Sequence, residues 1–174
     1  MNEDNLVKRC QRYDMSAYKV IYQRYEQPLL RTALRILKHQ QDAEDALQTT
    51  FLKLYRGIKN FRFNSKFSTY LFRILINNCF DILKAKKRMN LDTLEQADPS
   101  YNPEPGVKFQ LEKAIDALPP QMQTCFVLFA IEEFKQIEIA EILNLSLGAV
   151  KSNIFQAKKR LRARLSDVLK KERP

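Results

Sequence analysis

Two stretches of this chain carry side chains suited to recognising nucleic acid, and they lie far apart in sequence. The first is NFRFNSKFSTY, residues 60–70, in which Phe61, Phe63, Phe67 and Tyr70 are interleaved with Arg62, Asn64, Ser65 and Lys66. Aromatic rings can stack on unpaired bases, amides can hydrogen-bond base edges, and cations can hold phosphates. The same rings could instead anchor the loop to its own core. That reading is the stronger one for Phe61 and Phe67; for Phe63 and Tyr70 the two compete. The second stretch surrounds Phe155, a large aromatic on an otherwise polar helix face with Ser152, Lys159, Arg162 and Ser166, flanked by Lys151 and Gln156. An apolar group carried into a major groove can pack on a thymine methyl. The alternative is an ordinary half-buried surface Phe.

Bond-making chemistry is harder to find. His39 is the single histidine, flanked by Lys38 and Gln40, and reads as a surface helix end. Three glycines cannot build a phosphate-cradling loop. The acidic residues from Asp42 to Asp45 lack the accompanying ligands of a metal site. The expectation is a non-enzyme without metal or cofactor.

The elements that must position Phe155 are legible in QIEIAEILNLSLGAVKSNIFQAK, residues 136–158. A first helix carries Ile139, Ala140, Ile142 and Leu143, with Ala140 small where two helices cross closely. Asn144 stands at the turn, where a positive φ is tolerated by Asn. Leu145 plugs the gap beneath it, and Ser146 is a good N-cap for a second helix, with Leu147 and Gly148 in its first turn. Val150, Ile154, Ala157, Leu161, Leu165 and Val168 then fall on one helical stripe, the core side. Small residue, turn residue and buried β-branched residue at these spacings form a DNA-binding helix-turn-helix.

The remainder reads as helices. Leu6 to Tyr13 is a short first helix, Ser16 to Tyr25 a second, and Pro28 restarts a third to about Lys38. Asp42 caps a fourth to about Arg56, with Gly57 near its end. Residues 59–66 form a loop, and Ser68 caps a fifth helix reaching about Lys87. On the fourth helix Ala43, Ala46, Leu47, Thr50, Phe51 and Leu54 make the core stripe. Leu52 lies opposite, among Asp45, Gln48, Thr49 and Arg56: a plain surface leucine, or an anchor for a partner protein. On the fifth, Leu71, Ile74, Leu75, Cys79, Ile82 and Leu83 form the core, with Tyr70, Arg73, Asn77 and Lys84 on the other face. Residues 91–108, with Pro99, Pro103, Pro105 and Gly106 among acidic side chains, read as a flexible linker. A second helical domain begins at 109, and Pro119 and Pro120 precede its helix Gln121 to Ile131. The fold class is all-α, with two small helical domains, 1–90 and 109–174.

The 174 residues carry a formal charge of +10, unevenly spread. From Lys151 to Arg173 nine basic residues face two acidic ones, and Lys84, Lys86, Lys87 and Arg88 form a second knot. Two separated basic patches suit a polyanion touched at two places. Cations gathered at helix C-termini are the plainer account of either one. Cys10, Cys79 and Cys125 have no paired spacing; Cys79 and Cys125 lie in apolar runs and read as core residues. No signal-peptide pattern and no apolar run of about 18 residues is present. The expected compartment is reducing and cytoplasmic.

Taken together, the chain resembles a bacterial RNA polymerase sigma factor of the small, two-domain extracytoplasmic-function group. DAEDALQTTFLKLYRGIKNFRFNSKFSTYLFRILINNCFDILKAKKR is similar to sigma domain two, and ALPPQMQTCFVLFAIEEFKQIEIAEILNLSLGAVKSNIFQAKKRL to sigma domain four. The resemblance implies that Asp45, Gln48 and Leu52 dock on the clamp helices of the polymerase β′ subunit, with the β subunit a further partner. It implies that Phe63, Asn64, Ser65, Lys66 and Phe67 capture a flipped base of the promoter's minus-ten element. Tyr70, where the family usually has Trp, Arg73 and Asn77 extend that DNA-facing surface. Lys151, Ser152, Phe155 and Gln156 would read the minus-thirty-five element, while Lys158, Lys159 and Arg160 hold phosphates. Asn144 stands for the usual turn Gly, and Asn153 for a common Arg. An anti-sigma protein is a candidate partner, since many members are held inactive by one.

Two other readings compete. A stand-alone helix-turn-helix repressor or activator would bind duplex operators as a dimer, but it leaves the aromatic loop and Leu52 unexplained. An RNA-binding or polymerase-associated interaction module is the more distant third.

Overall fold

The computed structural model describes residues 2–89 and 107–171, with the backbone alone described at 107–108 and 167–171. Eight α-helices are present among the described residues: α1 (Glu3–Cys10), α2 (Met15–Leu37), α3 (Gln40–Gly57), α4 (Phe67–Arg88), α5 (Val107–Asp116), α6 (Pro120–Ala130), α7 (Gln136–Leu143) and α8 (Leu147–Lys171). A 3-10 turn, Ile58–Asn60, follows α3. The helices fall into two compact units, one built on α1–α4 and the other on α5, α6, α8 and the greater part of α7. The all-α, two-domain expectation holds. The linker expected at 91–108 lies outside the described residues except at 107–108, which already belong to α5.

In the first unit Asn2 caps α1, its side-chain oxygen accepting from the Asp4 N–H at 3.2 Å. Glu3 and Asp4 in its first turn and Lys8 and Arg9 in its last complement the helix dipole. Leu6, Val7 and Cys10 are fully buried. Asp14 caps α2 by accepting from the N–H groups of Ser16 and Ala17 at 2.9 and 3.3 Å. The serine and arginine bonds on its carboxylate hold the Asp14 pKa at about 2.

Several expected boundaries are corrected. The break at Pro28 is absent, and Met15–Leu37 is one helix. Pro28 removes one helix hydrogen bond, at a cost of about 3 kcal/mol in an ordinary helix. Ile21, Leu29, Thr32, Ala33 and Ile36, buried on either side of it, hold the two halves to one packing face. The next helix starts at Gln40, capped by His39 rather than Asp42: the His39 Nδ1 accepts from the Asp42 N–H at 3.3 Å. The Asp42 carboxylate is instead engaged by Lys86 of α4, which withdraws one cation from the basic knot at 84–88. Ser68 is not a cap either; α4 begins at Phe67 after Lys66, which makes no side-chain capping bond.

On α3 the buried set is Ala43, Ala46, Leu47, Thr50 and Leu54, while Phe51 is only half-buried, its ring 4.7 Å from that of Tyr22. On α4 Phe72 and Ile76 are buried beyond the expected stripe, and Ile74, Ile82 and Leu83 are half-buried. The cause is that α4 packs against both α2 and α3, so it buries a broad arc near its start and less near its end. Asn78 lies inside that arc. Its amide donates to Thr50 Oγ1 at 2.9 Å, its oxygen accepts from Lys53 Nζ, and Thr50 donates on to the Ala46 carbonyl at 2.7 Å.

In the second unit Pro120 occupies the first turn of α6, where its missing N–H costs nothing. The core joins Ala114, Ile115, Leu118, Val127, Ala157 and Leu161, with Leu111, Met122 and Phe126 packed around it. All three cysteines are buried thiols; burial pushes Cys79 up to about 12, and Cys10 and Cys125 to about 11.

Candidate nucleic-acid and polymerase interfaces

The helix-turn-helix forms as its sequence requires. Asn144 adopts the left-handed conformation, φ 52 and ψ 47, and its N–H donates to the Ala140 carbonyl. The Leu145 N–H reaches the same oxygen at 3.0 Å. Ser146 Oγ accepts from the Ala149 N–H at 3.1 Å, capping α8. Val150, Ile154, Ala157 and Leu161 are buried, which turns the opposite face of α8 outward. Lys151, Ser152, Gln156, Lys159 and Arg160 are exposed there, and Phe155 is 65% exposed. A ring so bare is not a core residue. Lys158 is also exposed, its ammonium 4.6 Å from the centroid of Phe129, a cation–π contact that steadies it. Asn153 turns back on its own helix, its amide donating to the Ala149 carbonyl at 2.9 Å.

The aromatic loop is built around Phe61, which is buried and lies 4.9, 5.9 and 5.0 Å (ring centroids) from Phe63, Phe67 and Tyr70. Phe63 has a φ of 59, a costly conformation for a bulky residue, and is 36% exposed with Lys8 Nζ 5.7 Å from its ring. Asn64 and Lys66 are exposed and Ser65 half-buried. Phe67 departs from its expected DNA contact: it is 2% exposed, its ring edge-on to Tyr25, and belongs to the core. Phe61 and Phe67 are both buried and pack edge-on to one another, 5.9 Å between centroids. Tyr70 is half-buried, and its hydroxyl would lie 3.1 Å from a Cβ at Gly57, so the glycine makes room for it. Arg73 is half-buried and Asn77 exposed, farther along α4. The loop leads directly into the N-terminus of α4, which has no side-chain cap.

On α3, Asp45 and Gln48 are exposed and Leu52 is 57% exposed. Leu52 and Gln48 line an open groove of about 540 Å³ whose other wall is α2, with Met15, Tyr18 and Tyr22 facing Phe51 and Tyr55. Burial raises the hydroxyl pKa of Tyr18 and Tyr22, so both phenols remain neutral at physiological pH. The apolar groove escaped the sequence reading. Its available signal was the recurrence of Met15, Tyr18 and Tyr22 at helical spacing on α2. No group of three potential metal ligands occurs among the described residues, and no described helix is long and apolar enough to cross a membrane.

An exposed face on the second helix of a helix-turn-helix in one unit and an aromatic loop in the other give the chain two candidate nucleic-acid surfaces. Sequence models of the sigma-70 family match in the same order, Sigma-70 region 2 over residues 21–89 and Sigma-70 region 4 over residues 108–161. The ECF RNA polymerase sigma factor SigW of Bacillus subtilis is 30% identical over 93% of this chain and 96% of its own. The RNA polymerase sigma-H factor of Pseudomonas aeruginosa is 29% identical over 97% and 96%. Among solved structures, CnrH bound to the cytosolic domain of CnrY has a TM-score of 0.69 at 24% identity, covering 96% of each chain. RpoE of Bartonella quintana, in complex with the anti-sigma factor NepR, has a TM-score of 0.71 at 20% identity, covering 86% of this chain and 96% of its own. These two establish the fold. The chain belongs to the extracytoplasmic-function sigma factors of the sigma-70 family. It is a transcription initiation factor whose partners are core RNA polymerase and promoter DNA.

Proposed function

We propose that Asp45, Gln48 and Leu52 dock the chain on the clamp helices of the polymerase β′ subunit. The apolar groove beside Leu52 enlarges that surface. The second unit then binds duplex DNA at the minus-thirty-five element, with Lys151, Ser152, Phe155 and Gln156 at base edges and Lys158, Lys159 and Arg160 at phosphates. Base contacts specify and phosphate contacts position. The first unit captures an extruded minus-ten base on Phe63, Asn64, Ser65 and Lys66, with Tyr70, Arg73 and Asn77 alongside. Capture offsets an unstacking cost of roughly a few kcal/mol and so favours the opened strand. Phe67 serves this step from beneath, as the buried support of the loop.

The factor gives polymerase its specificity without chemistry of its own, and acts in the cytoplasm where polymerase and chromosome meet. An anti-sigma protein is a further candidate partner, as NepR is for the RpoE structure. The observation that carries the reading is a bare Phe155 on a helix-turn-helix, in one chain with an exposed Phe63 on a buried aromatic support. The test is co-elution with core polymerase from the same bacterium, followed by mapping of transcription starts on genomic DNA. Co-elution with new, promoter-dependent starts is the expected result. Failure to bind a competent core enzyme, with symmetric duplex sites bound by the protein alone, would establish the stand-alone repressor instead.

A further inference from the structure

We propose that Gln11, at the end of α1 and outside the segments matched by the family, positions the minus-ten loop for base capture. Its Nε2 donates two hydrogen bonds, to the Phe61 carbonyl at 2.8 Å and to the Ile58 carbonyl at 3.1 Å. Those carbonyls bracket the 3-10 turn that leads into the loop, and the Ile58 oxygen also accepts from the Phe61 N–H at 3.1 Å. One primary amide thus clamps both ends of the turn. Both acceptors are carbonyls, so the amide orientation is fixed by chemistry: only the nitrogen can face them.

The clamp is held on a rigid base. Leu6, Val7 and Cys10 of α1 are fully buried. Glu3 accepts from the Tyr25 hydroxyl at 2.6 Å and from Arg24 at 3.3 Å, tying α1 to α2. Just past Gln11 the chain turns through Tyr13, at φ 61, into the Asp14 cap, where Arg9 Nε donates to Asp14 at 2.8 Å. The loop itself has no strand or helix to hold it between residues 61 and 66. The Phe61 carbonyl lies two residues before Phe63, and Lys8, one turn before Gln11 on α1, approaches the Phe63 ring. A loop fixed before DNA arrives has less conformational entropy to lose on capture. The role rests on the minus-ten reading given above, and gives α1 a part in it.

The test uses the full chain with core polymerase from the same bacterium, on a promoter mapped with the unaltered protein. Gln11→Glu keeps the shape but replaces the donor with a carboxylate that repels both carbonyls; Gln11→Met removes the polarity without adding repulsion. The readouts are core affinity, protection of the minus-thirty-five duplex, permanganate reactivity of opened minus-ten thymines, and tolerance of minus-ten base substitutions. Expected for Gln11→Glu is about a tenfold loss of strand opening at limiting factor, with relaxed minus-ten specificity and unchanged core affinity and duplex protection. Gln11→Met should follow in the same direction with a smaller loss, and it decides the question alone if Gln11→Glu does not fold. Opening at the unaltered level in the folded variants, or a loss that merely tracks core affinity, overturns the positioning role. An unaltered protein that directs no initiation overturns the polymerase reading, and the role of Gln11 with it.

Discussion

At Phe155 exposure and residue type disagree, and the disagreement is informative. A Phe ring 65% exposed leaves apolar area in water that burial against DNA would recover. Phe155→Ala should therefore leave the melting temperature unchanged and weaken promoter binding by about 1–3 kcal/mol at one base pair. Binding to a set of minus-thirty-five duplexes substituted one position at a time measures this; an equal loss on every duplex would mean general packing instead. Leu52 poses the same problem on α3. Leu52→Asp should abolish co-elution with core polymerase while circular dichroism shows both units folded, and an unchanged core affinity would remove Leu52 from the interface. Both residues were legible in the sequence because a helix has a fixed period, so an apolar residue on a polar face stands out. Phe67 was legible only in part. The residues just before it form a loop, and nothing local reveals that its ring meets Tyr25, a residue of another helix.

At the scale of elements, most helices were visible and most of their ends fell within two residues of the expected ones, but the break at Pro28 and the caps at Asp42 and Ser68 did not hold. Helix type follows from a pattern repeated over several turns, whereas an end depends on one or two hydrogen bonds. His39 holds the capping position, and the Asp42 carboxylate, already inside the first turn, meets Lys86 from a distant helix. Pro28 signals a break locally because its cost is real, but tertiary packing of α2 outweighs it. Asn78 shows the same limit. By type it belongs on a surface, yet it is 4% exposed and joins α4 to Thr50 and Lys53 of α3. Its bonds fix the register of α4 on α3, and α4 carries Tyr70, Arg73 and Asn77. Asn78→Ala should cost about 2 kcal/mol, since a buried hydroxyl and a lysine lose their partner. Urea unfolding measures the loss. A destabilisation below about 0.5 kcal/mol would mean that water replaces the amide without penalty.

The whole molecule works through two units that each own a core, and this division was readable because residues 91–106 are proline-rich and acidic between two helical patterns. The groove beside Leu52 was not readable, since its walls come from α2 and α3 and exist only once those helices pair. Two separate cores predict two separate foldings. Fragments 1–93 and 94–174 should each melt cooperatively, and the second should bind minus-thirty-five duplex with the affinity of the intact chain's own second unit. Initiation is a different matter. In the intact chain, duplex binding by one unit delivers the other to the minus-ten element at an effective concentration that a short tether sets in the millimolar range. Supplied as two chains at micromolar concentration, the fragments should lose initiation by about a hundredfold or more, and raising the first fragment toward millimolar should recover it. Transcription from a mapped promoter, titrated with each fragment against the intact chain, reads this directly. If the split pair initiates as well as the intact protein at micromolar concentration, polymerase alone brings the units together, and the covalent connection contributes nothing to promoter capture.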